Sequence, residues 1–153
     1  MKNFDEKNVK IYKVKFGENV KIIQPSNIYE CEIGDNCFIG PFVEIQKNSK
    51  IGSNTKIQSH SFICELVTIG NDVFIGHGVM FINDKFVNSK PANNDTSLWK
   101  STNIGNNVSI GSNSTILPVN ICDNAVIGAG SVVTKNILTP GIYAGNPAIK
   151  LSN

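Results

Sequence analysis

Arginine is missing from this chain. All 14 basic residues among its 153 are lysines. A bound phosphate or carboxylate must therefore be held by lysine, backbone N–H groups or neutral donors, because no bidentate guanidinium is available. The net charge is only +2 and the sequence shows no basic stripe, which argues against a nucleic-acid partner.

Long apolar runs and paired cysteines are also missing. No segment approaches the ~20 apolar residues of a membrane-spanning helix, and the first residues, MKNFDE, do not resemble a signal peptide. We therefore expect no membrane partner. The four cysteines form no CxxC pair, so we expect free thiols in a reducing cytoplasm rather than a structural zinc site.

The pattern that dominates the chain has a period of six. A large apolar residue recurs at every sixth position over a long stretch, and the pattern resumes twice after it stops. The residues are Ile33, Ile39, Ile45, Ile51, Ile57, Ile63, Ile69, Ile75 and Phe81, then Ile104, Ile110 and Ile116, then Ile121, Ile127 and Val133. A period sustained over so many units indicates a repeat architecture.

The other places in each unit indicate what the repeat builds. Turn-type residues, commonly Asn, Asp or Ser, fill the third and fourth places, and a small or β-branched residue fills the fifth. A period of six fits neither an α-helix nor one long strand, but it fits a short strand followed by a turn. Gly and Asn suit such turns because they tolerate positive φ. Three units then form a coil with three flat sides, and stacked coils bury the apolar column.

The pattern aliphatic–Gly–x–x–small–x resembles the hexapeptide-repeat acyltransferases. The resemblance covers roughly residues 20–150 and implies an all-β fold, a left-handed parallel β-helix. We predict a single domain, 1–153, with a lead-in at 1–19 and β-helix coils at 20–137. Within it we expect an imperfect first coil at 20–32, a long loop at 85–103 where the repeat stops, and a C-terminal extension at 138–153 that leaves the prism.

Two segments narrow the resemblance. IGAGSVVTKNI followed by YAGNPA resembles the closing segment of acetyl-CoA-dependent members. The stretch from IGPFVEIQ to FINDKF resembles the branch that N-acylates nucleotide-linked aminosugars, such as dTDP-3-amino-3,6-dideoxyhexoses, for surface polysaccharides including lipopolysaccharide. A neighbouring branch acts on UDP-linked 3-amino-uronic acids and carries Pro-Arg after this segment. Here Val87 and Asn88 follow Phe86, so we expect a neutral deoxyaminosugar.

The candidate catalytic residues are His60, His77 and Asn83. The two histidines occupy turn places of their units, so they should point outward from a corner. An imidazole can accept the proton of an attacking amine near neutral pH, although a neutral amine can also attack unaided. Asn83 begins the loop, and its amide could hold the amine or the thioester oxygen.

The candidate substrate-binding residues are Glu44, Asp84 and Trp99. Glu44 could bind a sugar hydroxyl, or it could be a solvated surface charge. Asp84 could grip the sugar or cap the loop. Trp99 could stack on a nucleobase or pin the loop.

The candidate cofactor site is a groove beside the late coils. Gly111, Gly128 and Ala129 would allow pantetheine to approach and pair with exposed backbone, as a peptide pairs with a strand edge. Lys135 and Lys150 could meet the phosphates of acetyl-CoA. The family resemblance implies a homotrimer in which a corner of one prism meets the loop of its neighbour.

Other functions remain open at this point. A sugar or serine O-acetyltransferase, a UDP-3-amino-uronate N-acetyltransferase and a non-catalytic β-helix scaffold are compatible with the repeats. A zinc enzyme like the γ-type carbonic anhydrases needs three histidine ligands, and the chain has two, so we expect no metal.

Overall fold

The computed structural model describes residues 11–93 and 95–151. The predicted positions 1–10 of the lead-in, 94 of the loop and 152–153 of the extension lie outside them. The strands β1 to β21 are Ile11–Tyr12, Lys15–Phe16, Lys21–Ile22, Asn27–Tyr29, Glu32–Ile33, Phe38–Ile39, Glu44–Ile45, Lys50–Ile51, Lys56–Ile57, Phe62–Ile63, Val67–Ile69, Phe74–Ile75, Met80–Phe81, Thr102–Ile104, Ser109–Ile110, Thr115–Ile116, Asn120–Ile121, Ala125–Ile127, Val132–Val133, Gly141–Ala144 and Ile149–Lys150. Two 3₁₀ turns, Val87–Ser89 and Thr96–Leu98, lie between β13 and β14.

The strands form the three sides of a prism. The first side contains β1, β4, β7, β10, β13, β16 and β19, and the second contains β2, β5, β8, β11, β14 and β17. The third contains β3, β6, β9, β12, β15, β18 and β20, with β21 at its end. Neighbouring strands are parallel except β20 and β21, so the all-β parallel coil and its repeat are confirmed, consistent with a left-handed helix.

The apolar column fills the prism. Each predicted column residue is at most 4% exposed, and successive coils place them in register, as with Ile57, Ile75 and Ile110. The fifth place is also inside, where its serine and threonine hydroxyls find carbonyl partners. Ser61 Oγ donates to Gly76 O at 2.9 Å, for example. A single coil would leave its column residues exposed at both ends, so these side chains become buried only when coils stack on one another.

The structure corrects the predicted boundaries at the start of the prism. A complete coil already runs through β1, β2 and β3, because Ile11 pairs with Ile28 and Phe16 with Ile33. Residues 11–19 are therefore not a lead-in, and the first coil is not 20–32. The sequence hid this coil because Ile11 and Ile28 are 17 residues apart, so one interval is five rather than six.

The C-terminal extension also differs from the prediction. Its strand β20 continues the third side, pairing Ile127 with Tyr143, instead of leaving the prism at 138. Tyr143 packs against the buried core, which accounts for the added strand. Strand β21 then turns back antiparallel on β20. No helix in the described ranges is both long and apolar enough to cross a membrane.

Candidate functional site

The corner between the third and first sides carries both histidines. We call it the histidine corner and define it by the third and fourth places of its units: Pro41, Phe42, Ser59, His60, His77, Gly78, Ser112, Asn113, Ala129 and Gly130. Backbone bonds stack its coils, with His60 N–H donating to Pro41 O at 3.2 Å. Both histidines are exposed, so their predicted outward position is confirmed.

His77 forms a side-chain contact with the neighbouring coil. Its Nδ1 lies 2.9 Å from Ser59 Oγ, and its backbone N–H donates to Ser112 Oγ at 3.1 Å. Ser59 lies one coil before His77 and Ser112 one coil after it. The imidazole therefore has one nitrogen engaged with the protein, while the ring as a whole is exposed to solvent.

His60 stacks on Phe42, the residue one coil earlier. The ring centroids are 4.8 Å apart with an interplanar angle of 29°. Both residues have left-handed backbone, with φ of 60° at Phe42 and 65° at His60. A bulky residue rarely adopts that conformation, and such strain concentrates at functional sites. Phe42 is also 56% exposed, so the stack presents an aromatic surface to solvent.

Asn83 lies at the corner between the first and second sides, which we call the loop corner. Its third places are Lys47, Glu65 and Asn83. Asn83 Nδ2 donates to Glu65 O at 3.4 Å, and Lys47 Nζ lies 3.6 Å from Glu65 Oε1. The long loop leaves from this corner as predicted, and Lys100 N–H returns to Asn83 O at 2.9 Å.

Asp84 organises the start of the loop. One carboxylate oxygen accepts the N–H of Phe86 at 2.8 Å and the other accepts the N–H of Ala92 at 2.9 Å. Ala92 is buried, so this double contact closes the first part of the loop on the prism. Of the two roles predicted for Asp84, loop capping is the one these contacts describe. Trp99 is half-buried at the end of the second 3₁₀ turn.

The two corners of one chain are too far apart to grip one atom together. His60 lies in the histidine corner, and Glu65, which contacts Asn83, lies in the loop corner. Strand β10 crosses the first side between them. At a rise of about 3.3 Å per residue, the two residues are on the order of 15 Å apart. Glu44 lies between them on the outward face of β7, where Gln46 Nε2 donates to its Oε1 at 2.9 Å. Burial raises the pKa of the nearby Tyr29, and the charge of Glu44 raises it further.

The predicted cofactor groove is partly occupied by the protein itself. Gly111 N–H donates to Ile127 O at 2.7 Å, and Gly128 N–H donates to Tyr143 O at 2.8 Å. Strand β18 already pairs with the Gly111 amide and β20 with the Gly128 amide, so pantetheine would have to pair with other backbone groups beside these glycines, and its binding here stays a prediction. A Cβ at Gly130, beside Ala129, would meet nothing within 4 Å, so open space remains at the end of the histidine corner.

The two predicted phosphate-binding lysines differ in their surroundings. Lys150 Nζ lies 3.4 Å from Thr139 Oγ1 and 6.0 Å from the centre of the Tyr143 ring. Lys135 is exposed on the segment after β19. Lys135 lies between β19 of the first side and Ile137, which bridges to β17 of the second side, so the first side separates it from Gly130.

A separate groove of about 430 Å³ runs along the second side. Gly17, Gly34, Gly52 and Gly70 form its floor, and a salt bridge of 2.8 Å joins Lys15 Nζ to Glu32 Oε1 in its wall. Lys15 lowers the pKa of Glu32. None of the predicted site residues lines this groove.

Sequence reasoning did not single out Phe42 and gave Ser59 no role. The signal for Phe42 was available, since an aromatic residue occupies a turn place that Asn, Asp or Gly commonly fills in this chain. The signal for Ser59 was its position one coil before His77 in a repeat of known length. Neither signal indicates a function until the structure shows the contacts between neighbouring coils.

Comparisons with known proteins identify the repeats. Residues 30–65 match the family described as bacterial transferase hexapeptide (six repeats), and residues 102–135 match the hexapeptide repeat of succinyl-transferase. The chain is 35% identical over 142 residues to the bifunctional protein GlmU of Streptococcus uberis, which covers 88% of this chain and 31% of that protein. It therefore spans between 21% and 31% of the length of such curated relatives.

Solved structures with the same architecture include two transferases. A variant of AntD, an N-acyltransferase from Bacillus cereus in complex with dTDP and coenzyme A, has a TM-score of 0.79 and 23% identity over 92% of this chain and 83% of that chain. A galactoside acetyltransferase in complex with coenzyme A has a TM-score of 0.64 and 29% identity over 92% of this chain and 64% of that chain. The likeness to AntD shows the fold.

Proposed function

Because this chain belongs to the hexapeptide-repeat transferase family, whose repeats it carries at 30–65 and 102–135, we propose that it is an acetyl-CoA-dependent N-acetyltransferase. Its acceptor is the amino group of a nucleotide-linked deoxyaminosugar. The observation that carries the proposal is the pair of polar corners, one with two exposed histidines and the other with Asn83 at the start of a long loop. A pure scaffold needs neither feature.

The reaction requires few catalytic groups from the protein. The neutral amine attacks the thioester carbonyl, the C–N bond forms, the C–S bond breaks and coenzyme A leaves as a thiolate. A histidine of the histidine corner accepts the proton that the nitrogen loses and then passes it to the thiolate. The Asn83 amide stabilises the developing oxyanion or holds the amine in place, because an aimed neutral donor is effective in a site closed to water.

A homotrimer brings the two corners together. Within one chain, His60 and Asn83 lie at opposite edges of the first side, so one reacting centre cannot meet both. If the loop corner of one prism faces the histidine corner of the next, each subunit boundary forms a complete site. Light scattering should give three times the 16.6 kDa of one chain, and a fully active monomer would contradict this arrangement.

Mixed oligomers test the shared site directly. His77→Asn and Asn83→Ala chains, each nearly inactive alone, should recover activity when they are refolded or co-expressed together. Random trimers restore about a quarter of the sites, because half the boundaries have an intact histidine and half of those an intact Asn83. If each site lies within one chain, the mixture stays inactive.

The acceptor is proposed to be a dTDP-linked 6-deoxy sugar rather than a uronic acid. The chain offers no arginine for a sugar carboxylate, and the fold matches an N-acyltransferase solved with dTDP. The test is coenzyme A release from acetyl-CoA with matched dTDP- and UDP-aminosugars. Equal catalytic efficiency on a UDP-3-amino-uronate and its 6-deoxy dTDP counterpart would overturn the preference.

A sugar O-acetyltransferase is the second candidate. It is supported by the likeness to the galactoside acetyltransferase at 29% identity. A hydroxyl is a weaker nucleophile than an amine and depends more on a base. The same assay decides between them when each aminosugar is paired with the sugar that carries a hydroxyl in place of the amine.

A further inference from the structure

Ser59 departs from a rule that holds along the whole corner between the second and third sides. At the corner between the second and third sides, the N–H of the third-place residue in one coil donates to the third-place side chain of the next coil. The five successive bonds, 2.7–3.1 Å long, run from Glu18 to Asp35, Asp35 to Ser53, Ser53 to Asn71, Asn71 to Asn106 and Asn106 to Asp123. We call this set the asparagine corner.

The histidine corner has the equivalent bond between His77 N–H and Ser112 Oγ, at 3.1 Å. Ser59 cannot receive the equivalent bond, because the residue one coil before it is Pro41, which has no backbone N–H. The Ser59 hydroxyl instead contacts the next coil, where Oγ lies 2.9 Å from His77 Nδ1. By contrast, Ser53 Oγ accepts Asp35 N–H at 3.1 Å in the asparagine corner.

We propose that Ser59 is a positioning residue that sets the tautomer of His77. Its Oγ accepts the Nδ1–H of the imidazole, which leaves Nε2 unprotonated and facing outward. The hydrogen bond at one ring nitrogen fixes the state of the other, so the histidine is held as a base rather than as a donor. Ser59 itself does not touch the reacting atoms.

The arrangement suits a proton transfer with no movement of the ring. As the amine nitrogen bonds to the acetyl carbon and the C–S bond breaks, the proton on that nitrogen moves to His77 Nε2, which then passes it to the departing thiolate. The resulting imidazolium donates from both nitrogens, and Ser59 Oγ still accepts from Nδ1. This catalytic role rests on the proposed function, whereas the tautomer does not.

Nuclear magnetic resonance of the unliganded protein tests the tautomer. The chain has two histidines, so His60→Asn leaves the ¹⁵N signals of His77 alone. In that background, neutral His77 should carry its proton on Nδ1. Adding Ser59→Ala should move the proton mainly to Nε2, which exposed histidines favour, and Ser59→Thr should keep it on Nδ1. The same tautomer with serine and with alanine at position 59 overturns the proposal.

Pro41→Ala provides a second test without touching either partner. The new N–H competes for Ser59 Oγ, so the His77 proton should be shared between its two nitrogens. A spectrum identical to that of the parent would contradict the role given to Pro41. This variant keeps the Ser59 hydroxyl, so a folding defect caused by losing the hydroxyl cannot produce the result.

Kinetics test the catalytic consequence. Ser59→Ala should lower kcat about tenfold with KM nearly unchanged, and Ser59→Thr should restore it. Ser53→Ala is the matched control, because it removes a hydroxyl from the asparagine corner and should leave kcat unaltered. An unchanged kcat in Ser59→Ala overturns the positioning role. If the parent protein acetylates no aminosugar, the proposed function fails, and the spectra still decide the tautomer.

Discussion

The asparagine corner and the histidine corner make the same turn with different residues. In the asparagine corner the fourth place has φ of 54–60° and contains only Asn or Asp at the six positions Asn19, Asn36, Asn54, Asp72, Asn107 and Asn124. These residues tolerate that conformation. In the histidine corner the fourth place holds Gly78, Asn113 and Gly130, which also suit the turn, but in its earlier coils it holds His60 and the bulky Phe42. The asparagine corner thus has only residues that suit the turn, whereas the histidine corner includes a strained aromatic residue that faces solvent.

The hydrogen bonds of the two corners differ in the same way. The asparagine corner uses its third-place side chains to bind the backbone of the preceding coil. In the histidine corner, Ser59 and His77 bind each other and the rings of Phe42 and His60 stack. The side chains of the asparagine corner therefore hold the coils together, whereas those of the histidine corner are available to a ligand. The predictions below test that separation.

The largest effect should follow from His77→Asn. Removing the base should lower kcat by roughly 10²–10⁴-fold. The oligomer and the thermal transition should persist, because the side chain is exposed and Asn is accepted in turns. His60→Asn should mainly raise KM, since His60 contributes a stacked surface. If His60→Asn shows the larger loss in kcat, the roles of the two histidines are reversed.

Ile57→Ala should lower the stability of the prism without changing the chemistry at either corner. Ile57 is 0% exposed and pairs with Ile39 and Ile75 in the core column. Its truncation should cost about 2–5 kcal/mol of unfolding free energy through loss of burial and a residual cavity. Denaturant titration measures the loss, and kcat per folded molecule should change little. A large fall in kcat with normal stability would mean that the core column communicates with the site.

Exchanging fourth-place residues tests the strain. Asn54→Phe places a bulky residue in the left-handed turn of the asparagine corner, and should cost about 1–2 kcal/mol of unfolding free energy. Phe42→Asn should be nearly neutral for stability, because relief of strain is offset by the lost stack with His60. It should raise KM, whereas Asn54→Phe should not. Equal stability losses in both variants would refute the contrast.

The effect that is smallest at neutral pH concerns thiols outside both corners. Burial raises the pKa of Cys31 and Cys64 from 9.0 to about 12. The unfolded thiols release protons first, so between pH 9 and about 12 the unfolded state binds fewer protons and the folded state loses stability. Denaturant midpoints should fall across that window and change less in Cys31→Ala and Cys64→Ala chains. Identical pH dependence in all three proteins would exclude the thiols as the cause.

The fold was predictable wherever the interval of six is intact. The column from Ile33 to Phe81 is buried as predicted, because burial on every sixth residue leaves a direct trace in the sequence. The first coil was hidden by two intervals of five, from Ile11 to Phe16 and from Ile28 to Ile33, which keep the strand pairing but break the periodic signal. Strand β20 was hidden because a sheet can extend without an intact repeat.

The candidate site was predictable only in part. The repeat length places Ser59 beside His77 and Lys47 beside Glu65, and both contacts are present. It cannot reveal that Pro41 frees a hydroxyl, because this follows from a missing N–H one coil away. The repeat length also cannot show whether a glycine leaves room for a cofactor or for the next coil. At Gly111 and Gly128, a Cβ would meet atoms of the next coil. Roles in binding and catalysis stay predictions.

The loop corner has a consequence for how the chain can diversify. Across an ordinary turn of the prism, bonded residues are 18 apart in sequence, and across the loop they are 35 apart. Chain-closure entropy grows only logarithmically, so this doubling costs about 0.6 kcal/mol. An insertion at this position therefore adds a small topological penalty to folding. The coils on either side keep their register, so the loop can vary in length and sequence while the prism stays the same.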